Sequence, residues 1–169
     1  RKALKNNGLE QVPVVSLNMS NMEKNPGFKL SVKLLYQLVS AICYGDVLMW
    51  AASRVRPYEI NKGDADTLVD KWVNELIKSE IGIKGFKEKT ARMIKEFEAI
   101  PAKHEEKIRV GIVGEIYIKY APLGNNCLEE FLQSEGAEVV VPGLLDFIIF
   151  MCDHHIVDTK IYHVRYKKF

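Results

Sequence analysis

The chain has 169 residues, 47% of them hydrophobic and 27% charged, with a net charge of +2. That suits one compact domain, or one plus a helical extension, and gives no electrostatic case for a nucleic-acid partner. The elements below read as a single α/β domain over 1–169 with a helical region at about 28–101. Three widely spaced cysteines, an odd number, exclude a disulfide framework and fit a reducing cytoplasm. No run is expected to be long and apolar enough to span a bilayer, and no signal peptide is visible.

In chain order, Val12 to Asn18 reads as a short strand, with its core at Val14 to Leu17. Asn25-Pro26-Gly27 is a turn signal, because proline presets φ and glycine accepts positive φ. Leu30 to about Arg56 has a helical pattern with Leu34, Leu35, Leu38, Ile42, Val47 and Trp50 apolar. Gly45-Asp46 is a place where it could break, and Pro57 ends it. A second helix is expected from Thr67 to about Lys78, on Leu68, Trp72 and Leu76 with Val69 and Val73 beside them. A third is expected from Phe86 to about Ile100, with Met93, Ile94 and Phe97 inward.

The chain then changes character. Ile108 to Val113 alternates and is β-branched, as a buried strand is. A loop is expected from Gly114 through Tyr120, Pro122 and Gly124. Asn125 and Asn126 are N-cap residues for a helix with Cys127, Leu128, Phe131 and Leu132 on its apolar face, and Gly136 sits at its C-terminal cap. Val139 to Val141 is a further strand, closed by Pro142-Gly143. The unit is strand–loop–helix–strand, which favours a parallel pair with a right-handed crossover. Leu144 to Met151 reads as a helix. The chain starts at Arg1 and stops after a β-like segment, Ile161 to Val164, so it is expected to be an excised piece of a longer protein.

Ligands of open α/β sheets bind beyond the carboxyl ends of the strands, so the stretch from Gly114 to Asn126 is the first candidate site. Gly114, Glu115, Tyr117, Lys119, Asn125 and Asn126 are its candidates for ligand or partner binding. The glycines Gly111 and Gly114 lack the full dinucleotide-binding spacing and are more simply a tight turn. Arg56, Tyr58 and Glu59 flank Pro57 and form a second candidate group; a helix terminus with a dipole-favouring arginine accounts for them equally. Cys152-Asp153-His154-His155 concentrates ligand-type residues, but neighbouring side chains point apart on a helix or strand. Cys127 and Cys152 are weak metal candidates. Cys127 is set apart by its expected place at a helix N-terminus, which favours thiolate. No phosphate loop with a lysine is present, so no ATP hydrolysis is expected of the chain.

Four segments resemble the CoA-substrate-specific enzyme activase-related proteins, akin to the subunits of 2-hydroxyacyl-CoA dehydratases. They are Pro13 to Asn18 with Glu23 to Phe28; Tyr44 to Met49; Arg56 to Glu59; and Gly111 to Asp146. The most specific part is Gly111-Ile112-Val113-Gly114-Glu115-Ile116-Tyr117 followed by Pro122-Leu123-Gly124-Asn125-Asn126. The resemblance implies a three-layer Rossmann-like α/β domain with a short parallel sheet and a helical insertion. It implies an anaerobic, cytoplasmic redox system in which an ATP-hydrolysing iron–sulfur activator passes one electron to a cluster-bearing dehydratase. The expected cofactor of the full-length protein is a [4Fe-4S] cluster, and the expected partner is an ATP-dependent activase domain or a dehydratase subunit. The expected role is an accessory or cluster-carrying domain; the alternative is a non-catalytic assembly domain that docks the ATPase activator.

Overall fold

A computed structural model describes residues 2–12, 31–79 and 81–163. The expected strand Val14 to Leu17 and the turn at Asn25-Pro26-Gly27 lie outside these residues. The chain divides into two compact units, residues 1–35 and 36–169. The first contains a short helix, α1 (Lys2–Asn6), after which the Asn7 amide donates to the carbonyl of Ala3 at 2.8 Å.

The second unit carries the mixed α/β fold. Helix α2 (Val32–Val55) leads into α3 (Asp64–Lys78) and α4 (Phe86–Glu98). Strand β1 (Arg109–Gly111) follows, then α5 (Ile116–Tyr120), α6 (Pro122–Asn125), α7 (Leu128–Ser134), strand β2 (Glu138–Val140) and α8 (Leu144–Ile161). The two strands pair in parallel, Val110 opposite Val139. Parallel pairing of the two C-terminal strands is as the sequence predicts, although β1 is shorter than expected and β2 begins and ends one residue earlier. β1 is exposed at Arg109 and Gly111 rather than buried throughout; the buried apolar residue is Ile112, just past its end.

Helix α2 runs unbroken through Gly45-Asp46, against the sequence expectation of a possible break there. The physical reason is Asp46 itself, whose two carboxylate oxygens accept from the backbone N–H groups of Leu144 and Leu145 at 2.9 and 2.8 Å. The carboxylate therefore caps α8 instead of interrupting α2. By length and composition α2 is long and apolar enough to cross a membrane, with mean hydropathy 1.4 over an 18-residue window. This corrects the expectation that no run reaches that length and apolarity. Its inward stripe is nonetheless committed to the core: Ser40, Tyr44, Leu48, Ala51 and Ala52 are buried at helical spacing. Of the apolar positions that marked the helix, Leu34, Leu35, Leu38 and Trp50 are exposed, and Trp50 lies under the Arg54 guanidinium at 4.3 Å.

Two cores meet α2. The larger joins Tyr44, Leu48, Ala51 and Ala52 to Ala65, Trp72 and Leu76 of α3 and Met93 and Phe97 of α4. The small Ala51, Ala52 and Ala65 let the helix backbones approach, and the large Trp72 and Phe97 fill the space between. Ile94, expected inward, is partly exposed, as is the helix-spaced Val73. Tyr36 and Tyr44 hold the α3–α4 link: the Tyr36 hydroxyl accepts from Ile83 N–H at 2.7 Å, and Tyr44 donates to the Gly82 carbonyl at 3.3 Å. A Cβ at position 82 would stand 3.2 Å from the Tyr36 ring, so a larger residue there requires the ring to move by a few tenths of an ångström.

The smaller core is Ile112, Val139 and Val141, covered by Met49 of α2, Tyr120, and Leu128 and Leu132 of α7. Phe131, expected on that face, is exposed. Helix α7 ends as its sequence predicts. Gly136, at φ +86°, donates to the Gln133 carbonyl and Ala137 donates to the Leu132 carbonyl, the paired bonds of a Schellman ending. At the chain's far end Ile161 closes α8 rather than opening a β-like segment, because the helical ladder continues to Tyr162, which donates to the Asp158 carbonyl.

Candidate functional site

The stretch after β1 is helical where a loop was expected. Glu115 starts α5 by accepting from its neighbour's ladder, the N–H of Tyr117, at 2.8 Å. Pro122 then starts α6 at a first-turn position, where its missing N–H costs nothing. Glu115 and Tyr117 therefore do not share a strand face, and both side chains point largely to solvent. Tyr117 lies against Gly124, where a Cβ would come within 2.5 Å of its ring. Gly114, at φ +136°, makes the turn out of β1 that its glycine predicts.

Asn125 and Asn126 divide the work expected of both. Asn125 is the cap: its Oδ1 accepts from Leu128 N–H at 3.2 Å and its Nδ2 donates to the Ile118 carbonyl at 2.8 Å. Asn126 is no N-cap. It adopts the left-handed conformation at φ 56°, and Cys127 repeats it at φ 55°. Asparagine tolerates that region, whereas a cysteine there is strained. The sequence placed Cys127 at the start of the helix, and it is at that boundary, exposed.

These elements enclose a cleft of about 330 Å³. Val141, one residue past β2, lines it, so it lies at the carboxyl end of that strand. Met49, Tyr120 and Pro122 give it apolar walls; Lys119, Arg56 and Cys127 line it as well. Of the sequence candidates the structure brings Arg56, Lys119 and Asn125 to this cleft, with Cys127, and leaves Glu115 and Tyr117 outside its lining.

Arg56 is held by two carboxylates. Its Nε meets Asp66 Oδ1 at 2.8 Å and its guanidinium Nη1 meets Glu129 Oε1 at 3.4 Å. Glu129 also accepts from Ser53 and Gln133, so α2, α3 and α7 are tied at one point. Lys119 differs. It is nine-tenths buried, and its ammonium sits 5.1 Å from the ring centroids of both Tyr120 and Phe147. Among the described residues it has no carboxylate within ion-pair distance. Tyr120 donates its hydroxyl proton to the Pro142 carbonyl at 2.5 Å. Burial, followed by the nearby Asp46 and Asp146 carboxylates, raises its pKa above the usual phenol value.

A neighbouring cleft of about 550 Å³ shares Arg56, Asp66, Glu130 and Gln133 with the first and is lined also by Glu59, Lys103 and Lys107. Glu59 is structural there: its two oxygens accept from the N–H groups of Gly63 and Ala65 at 2.7 and 2.9 Å, capping α3. Tyr58 donates to the buried carboxylate of Glu138, which Arg109 approaches at 3.1 Å. Sequence reasoning missed Asp46 and Glu138. A carboxylate inside an apolar helix or strand is the available signal, since it must find donors within the fold.

The expected [4Fe-4S] cluster takes four thiolates, and the chain has three cysteines. Cys43 is half-buried on α2, Cys127 exposed at the cleft and Cys152 exposed on α8. Among the described residues no three His, Cys, Asp or Glu side chains converge as a metal site. The residues present therefore do not fit a cluster on their own. His154, on the helix that carries Cys152, pairs with Asp158 at 3.6 Å and stacks on Phe150.

Compared with known proteins, the chain matches no family model, no curated protein and no solved structure.

Proposed function

We propose that this chain is an accessory domain of a cytoplasmic, anaerobic redox system of the 2-hydroxyacyl-CoA dehydratase/activase type, built as a three-layer Rossmann-like domain. The observation that carries the reading is the cleft at the carboxyl end of β2, lined by Lys119 and Arg56, where parallel α/β units hold their ligands. The segment resemblance from Gly111 to Asp146 covers the elements that build that cleft. Because three cysteines cannot complete a four-thiolate set, the [4Fe-4S] cluster of such a system takes at least one ligand from outside this chain. The role assigned here is binding and positioning, with an ATP-dependent activase domain or a dehydratase subunit as partner.

The test is anaerobic purification of the protein with and without an ATP-hydrolysing activator, followed by iron and sulfide analysis. Iron–sulfur content and activator-dependent reduction only in the complex are expected. Absence of both in every combination overturns the assignment.

The second reading, a non-catalytic assembly domain that docks the ATPase activator, is favoured by α8. That helix exposes Ile149, Phe150, Ile156 and Ile161, an apolar surface of the kind that binds protein. Stable complex formation without any cluster supports this reading over the first.

A further inference from the structure

We propose that α8 is a self-association surface, whose face carrying Ile149, Cys152 and Ile156 packs antiparallel against the same face of a second copy of this chain. The pairing is independent of the cleft and of the accessory-domain reading. It gives to a second copy the helix that the assembly reading gives to an activator.

Helix α8 is apolar where it is wet. Every residue from Ile148 to His154 is exposed. That run covers about two turns, so the middle of the helix meets solvent on all sides. Ile148, Ile149, Phe150 and Met151 are adjacent within it. The first turns are held to the body: Asp46 caps Leu144 and Leu145, and Phe147 lies by the Lys119 ammonium. Apolar surface of that extent on a solvated helix marks a contact with another molecule.

The spacing selects a second copy. Leu145, Ile149, Cys152 and Ile156 recur at steps of four, three and four residues, which is a coiled-coil seam. Those steps read the same in both directions. A two-fold interface must be self-complementary, and a palindromic seam meets itself when the helices run antiparallel.

The charges set the same direction. Asp146 lies in the first turn and Lys160 in the last, on one flank of the seam. Parallel helices oppose like charges there, whereas antiparallel helices set each Lys160 beside the other copy's Asp146. Asp153, on the same flank, meets its own counterpart near the axis and weakens the pair. Three aspartates against one lysine on α8 disfavour an anionic lipid surface as the occupant.

The area sets the strength. Ile148 to Met151, Ile156 and Ile161 are from 42% to 64% exposed. At roughly 200 Å² for a large side chain laid bare, they hold roughly 600 Å² of apolar surface. A helix pair covers about half of that on each copy, which with its polar flanks belongs among transient contacts of less than about 1,200 Å² in total. The dimer is therefore reversible, forming in the micromolar range rather than below it.

Sedimentation velocity of the chain alone, from micromolar to millimolar concentration, should show a monomer–dimer equilibrium. Ile149→Asp should weaken it about tenfold. Leu123→Asp, at an apolar residue 90% exposed on α6, should leave it unchanged. Lys160→Glu should weaken it several-fold, and adding Asp146→Lys should restore it. A short bismaleimide should link the copies through Cys152, which is exposed beside the axis, rather than through Cys127, as read by peptide mass spectrometry. A monomer at every concentration, equal association in Ile149→Asp, or linkage through Cys127 overturns the proposal. A monomer that floats with phosphatidylcholine vesicles overturns it in favour of a lipid surface. Failure of the charge reversal to restore association overturns the antiparallel pairing. Should a variant fail to fold, Cys152 linkage in the unmodified protein decides for the proposal, and its absence decides against it.

Discussion

Tyr58 donates its hydroxyl proton to Glu138 Oε2 at 2.6 Å, joining the turn after α2 to the second strand across 80 residues of sequence. The carboxylate is 3% exposed and has Arg109 on its other oxygen. The bond to Glu138, then burial, raises the Tyr58 pKa above the usual phenol value. A pKa raised by folding means that the protonated phenol stabilises the fold. That contribution is complete below the unfolded value and is lost as pH rises through the folded one.

Tyr58→Phe should therefore cost about 1.5–3 kcal/mol at neutral pH, the range for a hydrogen bond to a charged group. Urea unfolding of both proteins from neutral to alkaline pH measures it. The gap between them should narrow as pH climbs past the ordinary phenol value of about 10. A constant gap would mean that the Tyr58 proton is not what holds the strand.

Asp46 and Gly143 make a coupled pair. The Asp46 carboxylate accepts the first two N–H groups of α8, and a Cβ at Gly143 would stand 2.7 Å from its Oδ2. Asp46→Ala should cost about 0.5–2 kcal/mol through the lost cap. Gly143→Ala should cost a similar amount by displacing the carboxylate, yet almost nothing when Asp46 is already alanine. Thermal or urea denaturation of the two single variants and the double variant closes the cycle; additive losses would contradict the contact.

How much of this was legible in the sequence follows from the range of the interactions involved. Periodicity located α3, α4 and α7, and the β-branched runs located both strands, because each pattern is local. Helix α2 was located too, but its apolar residues did not single out the face that is buried. A hydrophobic count favours Leu38 and Trp50, whereas close packing against α3 selects Tyr44, Leu48 and the small Ala51 and Ala52. The cleft was half legible: strand order pointed to the stretch after β1, and Lys119 and Asn125 were named from it. Met49, Tyr120 and Val141 were not named, since they converge only through the folding of α2 onto the sheet. Asp46 and Glu138 have partners 98 and 80 residues away, beyond any local pattern.

Cys127 tests the left-handed turn between α6 and α7. It follows Asn126 in the same conformation, at φ 55° and ψ 39°. A cysteine there carries strain on the order of 1 kcal/mol that glycine does not. Cys127→Gly should raise stability by up to about 1 kcal/mol, after the entropy that glycine adds to the unfolded chain. Cys127→Ala should leave stability unchanged, since alanine has the same backbone restriction. Equal effects from both substitutions would place the residue's role in its side chain.

The last prediction concerns acid. Glu96 of α4 accepts from Lys71 Nζ at 2.8 Å and from the indole N–H of the buried Trp72 at 3.0 Å. The Lys71 bond is the largest influence and holds the Glu96 pKa below the usual carboxylate range, against the opposing effect of burial. Folding lowers this pKa, so the charged form stabilises the fold. Its contribution is present above the ordinary carboxylate value and is lost as pH falls through the folded one. The side chain is about a third exposed, so solvent screens part of the pairing and the effect is modest. Glu96→Gln should be less stable than the parent at neutral pH by roughly 1 kcal/mol. The two should converge as pH drops below the carboxylate range, because the parent then also lacks the charge. Trp72 fluorescence, read in a Trp50→Phe background, follows the unfolding at each pH, since these are the chain's two tryptophans. A stability gap that persists unchanged into acid would show that the Glu96 charge does not hold α3 to α4.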